Sequence, residues 1–455
     1  MQVHAKNRND IEYLYNYRNG KQPILDRKKD VRPEICNKIV ENRADEIVSF
    51  KSGYLVGEPI QYVSRKDDEV IANKITQLND YMISEDKASE DGELADWMHT
   101  CGTSFRMALP DADTDVEADE APFEIYTLDP RNTFVVYQNA LGNKPMMGVT
   151  YTTEIDDNLV AGSKTVFSVY TSNWYMEIEN NVGVYKLTNA VPQVFGIPII
   201  EYPLNSARLG AFEVVLPLLD AINTTESNRV DGVEQFIQAL MLFHNVDISS
   251  EDFGKLREEG AIKFNDLDEQ KKAEIKYLTA ELNQDQSQTL VNHMYDTVLT
   301  ICGMPNRNGG SSTSDTGTAV IYRDGWSAAE SRAKKTETMW KKSENKFLRL
   351  VLRICRDMGN LDMKLSDVKT QFTRRNYENI TSKAQVLVAM LNNPKIAPQL
   401  AFTYCGMFSD PNVAYQMSAD YYKEEMKKLE TEQKVEDSSN NDNSEDTDKS
   451  EDAEK

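Results

Sequence analysis

Two hydrophobic periods alternate along the chain. Apolar positions at Ile11, Tyr13, Leu14 and Tyr17, and then at Ile35, Ile39, Val40, Ala44, Ile47 and Val48, fall three and four residues apart. They predict a short aromatic helix and a second helix with one buried face, joined by the turn-rich, basic RNGKQPILDRK. GYLVGEPIQYV reads as a strand pair around Gly57 and Pro59, and 69–100 reads as helix that Gly102 can stop. From 104 to about 203 the pattern is that of strands, in the runs FRMALP, FEIYTL, TFVVYQ, MMGVTYTT, TVFSVYTS and GVYKLT between Gly, Asp and Asn turns. An acidic stretch, DADTDVEADE at 111–120, joins two strands of this β-rich subdomain.

At 211 the helical period returns, with Val215, Leu218, Leu219, Ile222, Val230, Val233, Ile237, Leu240 and Met241 in one span to about Phe243. That span would extend ~45 Å, and the polar run 223–229 in its middle predicts a bend. Residues 245–280 read as a small α/β unit, with a helix at 251–259 and strands at AIKF and EIKYL. Helix resumes over 285–302, with Leu290, Val291, Met294, Val298 and Ile301 on one stripe. GMPNRNGGSSTSDTG at 303–317 follows, a Gly/Ser/Thr/Asn-rich stretch that reads as a mobile loop held at both ends. Residues 316–358 form one helical pattern, ~65 Å if unbroken. Shorter helices are expected at 382–391 and 411–430, split by NNPKIAP and FSDP, before a tail from about 431 that is too polar to fold alone. The fold class is α+β, multidomain.

Composition narrows the function. The 455 residues, 40% hydrophobic, suffice for two to four packed units. The formal net charge is −23, of which −7 lies in 436–455, so the body is acidic too and speaks against tight nucleic-acid binding. Five scattered cysteines without a CxxC predict neither a disulfide framework nor a zinc site and suit a reducing cytosol. No apolar leader and no run of 18 apolar residues occur, so the reading is neither secreted nor membrane-spanning. GGSSTSDTG lacks the lysine of a P-loop, and DADTD lacks the glycine and final glutamate of a calcium loop. The four histidines have no metal-ligand spacing, no GxSxG is present, and Cys302 reads as a packed thiol. The chain is therefore expected to carry no catalytic residues, no metal and no cofactor.

Several blocks in order resemble the portal proteins of tailed bacteriophages, the type of Gram-positive-host siphophages and prophages. They are YNYRNGKQPIL at 15–25, NKIVENRADEIVSFKSGYLVGEPI at 37–60, LDPRNTFVVY at 128–137, and FGIPIIEYPLN with LGAFEVVLPLLDAIN across 195–223, followed by VEQFIQALMLF. The last block is the most specific, and no motif of the family is found beyond about 366. The resemblance implies a portal fold: a wing at 1–210, a first stem helix at 211–244, a small α/β clip at 245–284 and a second stem helix at 285–302. It continues with a tunnel loop at 303–317, a long wing helix and its return at 318–375, a helical crown at 376–430 and a disordered acidic tail at 431–455.

It further implies a homo-oligomeric ring of about a dozen subunits. The ring would sit at one capsid vertex of the virion, assembled in the host bacterial cytoplasm, as a channel for packaging and ejecting double-stranded DNA without sequence preference. Terminase, a head-completion adaptor, scaffold and the major capsid protein are the implied partners. The loop residues expected at DNA are Asn306, Arg307, Asn308, Gly309, Gly310, Ser311, Ser312, Thr313 and Ser314. Arg307 reads equally as a phosphate contact or a solvated helix-end charge. Asp231, Glu234, Asp285 and Asp296 are candidates to line the channel, or equally ordinary solvated or intersubunit carboxylates. A non-conducting oligomeric scaffold or adaptor is the alternative reading.

Overall fold

The computed structural model describes residues 2–65, 68–111, 120–155, 161–237, 240–244, 274–278, 284–306, 325–359, 361–374, 380–408 and 411–442. Four helices open the chain: α1 (Gln2–Arg18), α2 (Arg43–Val56), α3 (Glu69–Ser84) and α4 (Lys87–Cys101). Asp86, with φ of 46°, breaks α3 from α4, and Gly102, with φ of 79°, ends α4 as expected. The helix anticipated from Ile35 starts only at Arg43. The residues before it run extended, for a reason given below. GYLV likewise belongs to α2, and β1 (Gln61–Ser64) pairs antiparallel with the distant β12 (Val368–Gln371) rather than within a local hairpin.

The β-rich region forms two sheets. β2 (Thr103–Pro110) lies between β3 (Phe123–Leu128) and β9 (Ile199–Pro203), while β4 (Thr133–Tyr137), β5 (Pro145–Ile155), β6 (Ala161–Thr171), β7 (Trp174–Asn181) and β8 (Val184–Pro192) make an antiparallel meander. β7 and β9 were not anticipated as separate strands. β7 carries the alternation Tyr175, Glu177, Glu179 against Met176, Ile178, whose polar half dilutes the apolar signal. The sheets approach at Gly148, where any side chain would press on Ile199. The outer edge of β3 is closed by carboxylates: the Ile125 and Thr127 amides donate to Glu85 and Glu90.

α5 (Leu216–Ile237) and α6 (Gln284–Cys302) follow, and the chain beyond α5 turns into β10 (Leu240–His244), paired with β11 (Glu274–Leu278). The single helix expected through Phe243 thus stops at Ile237, because strand pairing overrides the helical propensity of ALML. EIKYL is a strand as read, whereas AIKF and the helix at 251–259 lie outside the described residues. α7 (Trp326–Met358) begins at Gly325 with φ of 82°, so the helix described is ~50 Å long, not ~65 Å. The last helices are α8 (Ile380–Leu391), α9 (Pro398–Cys405) and α10 (Pro411–Asp442). α10 overruns the expected tail by a dozen residues, since its Glu, Lys and Gln are good helix formers even without a core.

The largest core lies where α3, α4 and α7 meet β1, β2, β3 and β9. At its centre four charges are buried together. Arg106 of β2 donates to Asp91 of α4 and faces Glu344 of α7 at 3.6 Å, and Lys87 contacts Asp91 at 2.7 Å and Glu344 at 3.2 Å. Tyr62, Tyr202 and Trp340 also donate to Glu344, at 2.5, 2.8 and 3.1 Å. Burial opposes the Glu344 charge, but Lys87, Arg106 and the two tyrosine hydroxyls outweigh it and bring its pKa down to about 2. Two plus and two minus charges cancel, which is the condition for keeping ions out of water.

Replacing Glu344 by Gln leaves Asp91 alone against Lys87 and Arg106, one net buried positive charge uncompensated, and should cost ~3–5 kcal/mol in denaturant unfolding. Acid should act earlier through His99, which burial brings down to about 3, with nearby Lys51 reinforcing the shift. Its folded pKa lies below the unfolded value of 6.5, so its contribution is complete above 6.5 and lost as pH falls towards 3. Melting temperature should drop between pH 6.5 and 4, and His99→Gln should flatten that slope.

Candidate functional site

The polar run 223–229 does not break α5. Asn223, Ser227 and Asp231 stand four residues apart on one face, all buried, and the extended chain at 37–41 lies along them. The Asn37 amide donates to Asp231 at 2.7 Å, the Ile39 amide to Ser227 at 2.9 Å, and the Glu41 amide to Asn223 at 2.8 Å. Four residues of helix rise ~6.0 Å and two residues of strand ~6.6 Å, so the two repeats keep step over three rungs. This ladder is why 37–41 is not helical: its alternate amides, at Asn37, Ile39 and Glu41, are satisfied by side chains of α5.

Asp231 ends the ladder. Its carboxylate, 4% exposed, takes Arg27 at 3.0 Å, Lys29 at 3.1 Å and the Asn37 side chain at 2.9 Å. Burial opposes ionisation, yet these partners hold it below the usual carboxylate range. Asp231 is therefore a buried intrasubunit counterion, which corrects its expected place on a channel wall. The basic stretch between α1 and α2 supplies its partners. Glu234, one turn on, is half-buried and accepts from Asn37 at 2.9 Å. Asp285 and Asp296 are exposed on α6.

α6 runs antiparallel to α5: Arg229 meets Gln284 at one end (3.2 Å) and the Cys302 thiol meets the Ala211 carbonyl at the other (3.6 Å). Leu219 and Ile222 pack with Val291, Val298 and Leu299 between them. The C-terminus of α6 is closed by Gly303 at φ 64°, with the Gly303 amide on the Thr300 carbonyl at 3.2 Å and the Met304 amide on the Leu299 carbonyl at 2.9 Å. This double bond pattern satisfies carbonyls that a helix end otherwise leaves open. Lys51 of α2 donates to the Cys302 carbonyl at 2.7 Å, a cation at the negative helix end. Burial lowers the Lys51 pKa and raises that of the Cys302 thiol to about 11, so Cys302 is a packed thiol.

Gly303, Met304 and Pro305 are thus buried parts of the core and not of a free loop, and Asn306 is tied to Asp296 at 3.0 Å. Residues 307–314 of the expected tunnel loop, Arg307 to Ser314, lie outside the described residues. The chain returns at the same place. A Cβ on Gly325 would stand 3.7 Å from the Met304 carbonyl oxygen and the Pro305 Cα, and Trp326 sits against Phe50 and Tyr54 with ring centroids 6.1 Å away. Lys51, Gly325 and Trp326 were not singled out by the sequence reading. Only the second glycine, just before the basic, Trp-headed helical run, marks this end.

Asp231→Ala should therefore destabilise the fold by about 2–4 kcal/mol in chemical denaturation, and Asp285→Ala by less than about 1 kcal/mol. Equal effects would contradict the contrast drawn between the two carboxylates.

A family model described as "Phage portal protein, SPP1 Gp6-like" matches residues 2–439. No curated protein matches the chain.

Proposed function

Because the chain belongs to the SPP1 Gp6-like phage portal protein family, a structural and non-enzymatic component of the capsid vertex, we propose that it forms a ring that conducts double-stranded DNA. About a dozen copies would surround the bore. DNA would enter during packaging and leave during ejection, with terminase and later a head-completion adaptor docking at the 245–284 region. Scaffold and major capsid protein would meet the wing and the C-terminal helices.

The observation that carries this reading is the antiparallel α5–α6 pair leading into a Gly/Ser-rich segment whose two ends are held at one point. The two ends of the segment, Asn306 and Gly325, are thereby fixed to the core independently of what lies between them. Asp285 and Asp296 on α6, and Glu234 on α5, are candidates to face the bore. A duplex carries one charge per ~1.7 Å of its axis and would adhere to a basic bore. Carboxylates repel it, and at ~8 Å of screening the repulsion acts only near the wall.

Electron microscopy of purified protein should show rings with a central hole. Solid assemblies without a bore would favour the non-conducting scaffold or adaptor. Deleting 309–314 should leave ring formation intact and sharply reduce packaged or retained DNA. Normal infectivity after that deletion would reduce the segment to a connector.

A further inference from the structure

α7 carries nine basic and four acidic residues in a chain of net charge −23. Three of its acids are consumed locally. Glu330 and Glu337 pair with Arg374, and Glu344 is in the buried charge cluster. Lys335, Lys342, Lys346, Arg349 and Arg353 are all exposed and fall within an arc of about 60° at ~100° per residue, extending ~27 Å along the helix. None of the five has a carboxylate partner among the described residues. Arg353 only overlies the Phe195 ring at 6.0 Å, and Arg356 continues the row but pairs with exposed Asp362.

Lys346 is only partly solvated, and this partial burial is the first cause that holds it below the ordinary lysine range; its neighbours Lys342 and Arg349 in the row, and Arg208, push the same way, with Glu201 acting against them. This part of the row lies at the β9 edge of the three-stranded sheet, since Glu201 belongs to β9 and Ser343 of α7 donates to its carbonyl at 2.7 Å. The β3 edge of the same sheet is the reverse. Glu85 is raised by burial, and by Glu124 and Asp111 beside it, against the Ile125 amide that it accepts. Asp111 reaches this edge, where its amide bonds the Pro122 carbonyl at 3.2 Å, and Glu120, two residues before Pro122, is the other described end of the acidic stretch between β2 and β3.

We propose that these two edges meet across copies: the cationic row of α7 in one subunit docks on the carboxylate cluster around Glu85, Asp111, Glu120 and Glu124 of the next. The inference rests on the ring reading above. Copies that each carry −23 repel one another unless unlike faces are brought together. A closed ring uses two different faces of each subunit, and one sheet here has a cationic edge and an anionic edge. Duplex DNA is the less favoured occupant, because the remainder of the chain repels it.

Charge reversal tests the contact by mass photometry of purified full-length chains. Lys346→Glu with Arg349→Glu, or Glu120→Lys with Glu124→Lys, should each raise the concentration for half-assembly at least ~10-fold. The chain carrying all four changes should return to within about twofold of the original, because both faces are then inverted. Thermal melts within a few degrees of the parent would show that the variants are folded. Unchanged assembly in either reversed pair, or no rescue in the fourfold variant, would overturn the contact while leaving the ring standing. So would loss of affinity for a short duplex by Lys346→Glu with Arg349→Glu while ring assembly is intact, which would make the row a nucleic-acid surface. An unaltered chain that stays monomeric would remove the ring reading itself, and the contact with it.

Discussion

Burial of Glu344 is the constraint from which most of the molecule can be derived. A carboxylate wholly removed from water is tolerable only with full compensation, and here that requires Arg106 from β2, Lys87 from α4 and hydroxyls from β1 and β9 to converge on it. Five elements separated by up to 282 residues of sequence are thereby fixed to one point. The same burial sets the rotation of α7 about its axis. Lys335 and Arg353 lie nine residues either side of Glu344, half a turn out of phase, so placing Glu344 inward places the cationic row outward. A helix this long then carries that orientation ~27 Å back to Trp326 at the base of the Gly/Ser segment.

Charge is thus sorted rather than spread. The acidic excess of the chain leaves α7 as a cationic strip, and the basic stretch between α1 and α2 is spent on Asp231. These two sites differ in consequence. Around Asp231 the cations and the carboxylate belong to one subunit, so the pair holds the extended 37–41 segment on α5 and has nothing left for a partner. Along the exposed row of α7 the cations have no such carboxylates among the described residues, and an anion supplied from outside would relieve their mutual repulsion.

How far the sequence was legible follows from how local each signal is. α1, α3, α4, α6 and most of the β-meander are readable, because their burial repeats within one element. The helix imagined from Ile35 is wrong for the opposite reason. Its apolar spacing is real, but its amides are claimed by Asn223, Ser227 and Asp231, nearly two hundred residues away, and no local pattern encodes that. The same partner explains why 223–229 is polar without being a bend. β1 was assigned the wrong mate because its true one, β12, is about three hundred residues distant. The candidate site was legible as a segment and illegible as a base: composition marks the stretch around Gly309, whereas Lys51 on α2 has no signature until α2 is packed on α6. Asp231 shows the limit most plainly, since on helical spacing alone it is indistinguishable from the exposed Asp285 and Asp296.

The closure between Asn306 and Gly325 needs a firm base, and the physical reason is entropic. Bringing together the ends of about nineteen residues costs roughly (3/2)RT ln n, near 2.6 kcal/mol, beyond a constant term. Met304 at 6% exposure offers a gain of comparable size, ~2 kcal/mol for a buried side chain. The helix-end hydrogen bonds at Gly303 and the rings around Trp326 add to it. The closure is therefore supported from outside the segment, by residues that belong to the core. The composition follows that division only in part: 307–318 is Gly, Ser, Thr and Asn with Arg307 and Asp315, whereas Ala319, Val320, Ile321 and Tyr322 lie in the same span before Gly325.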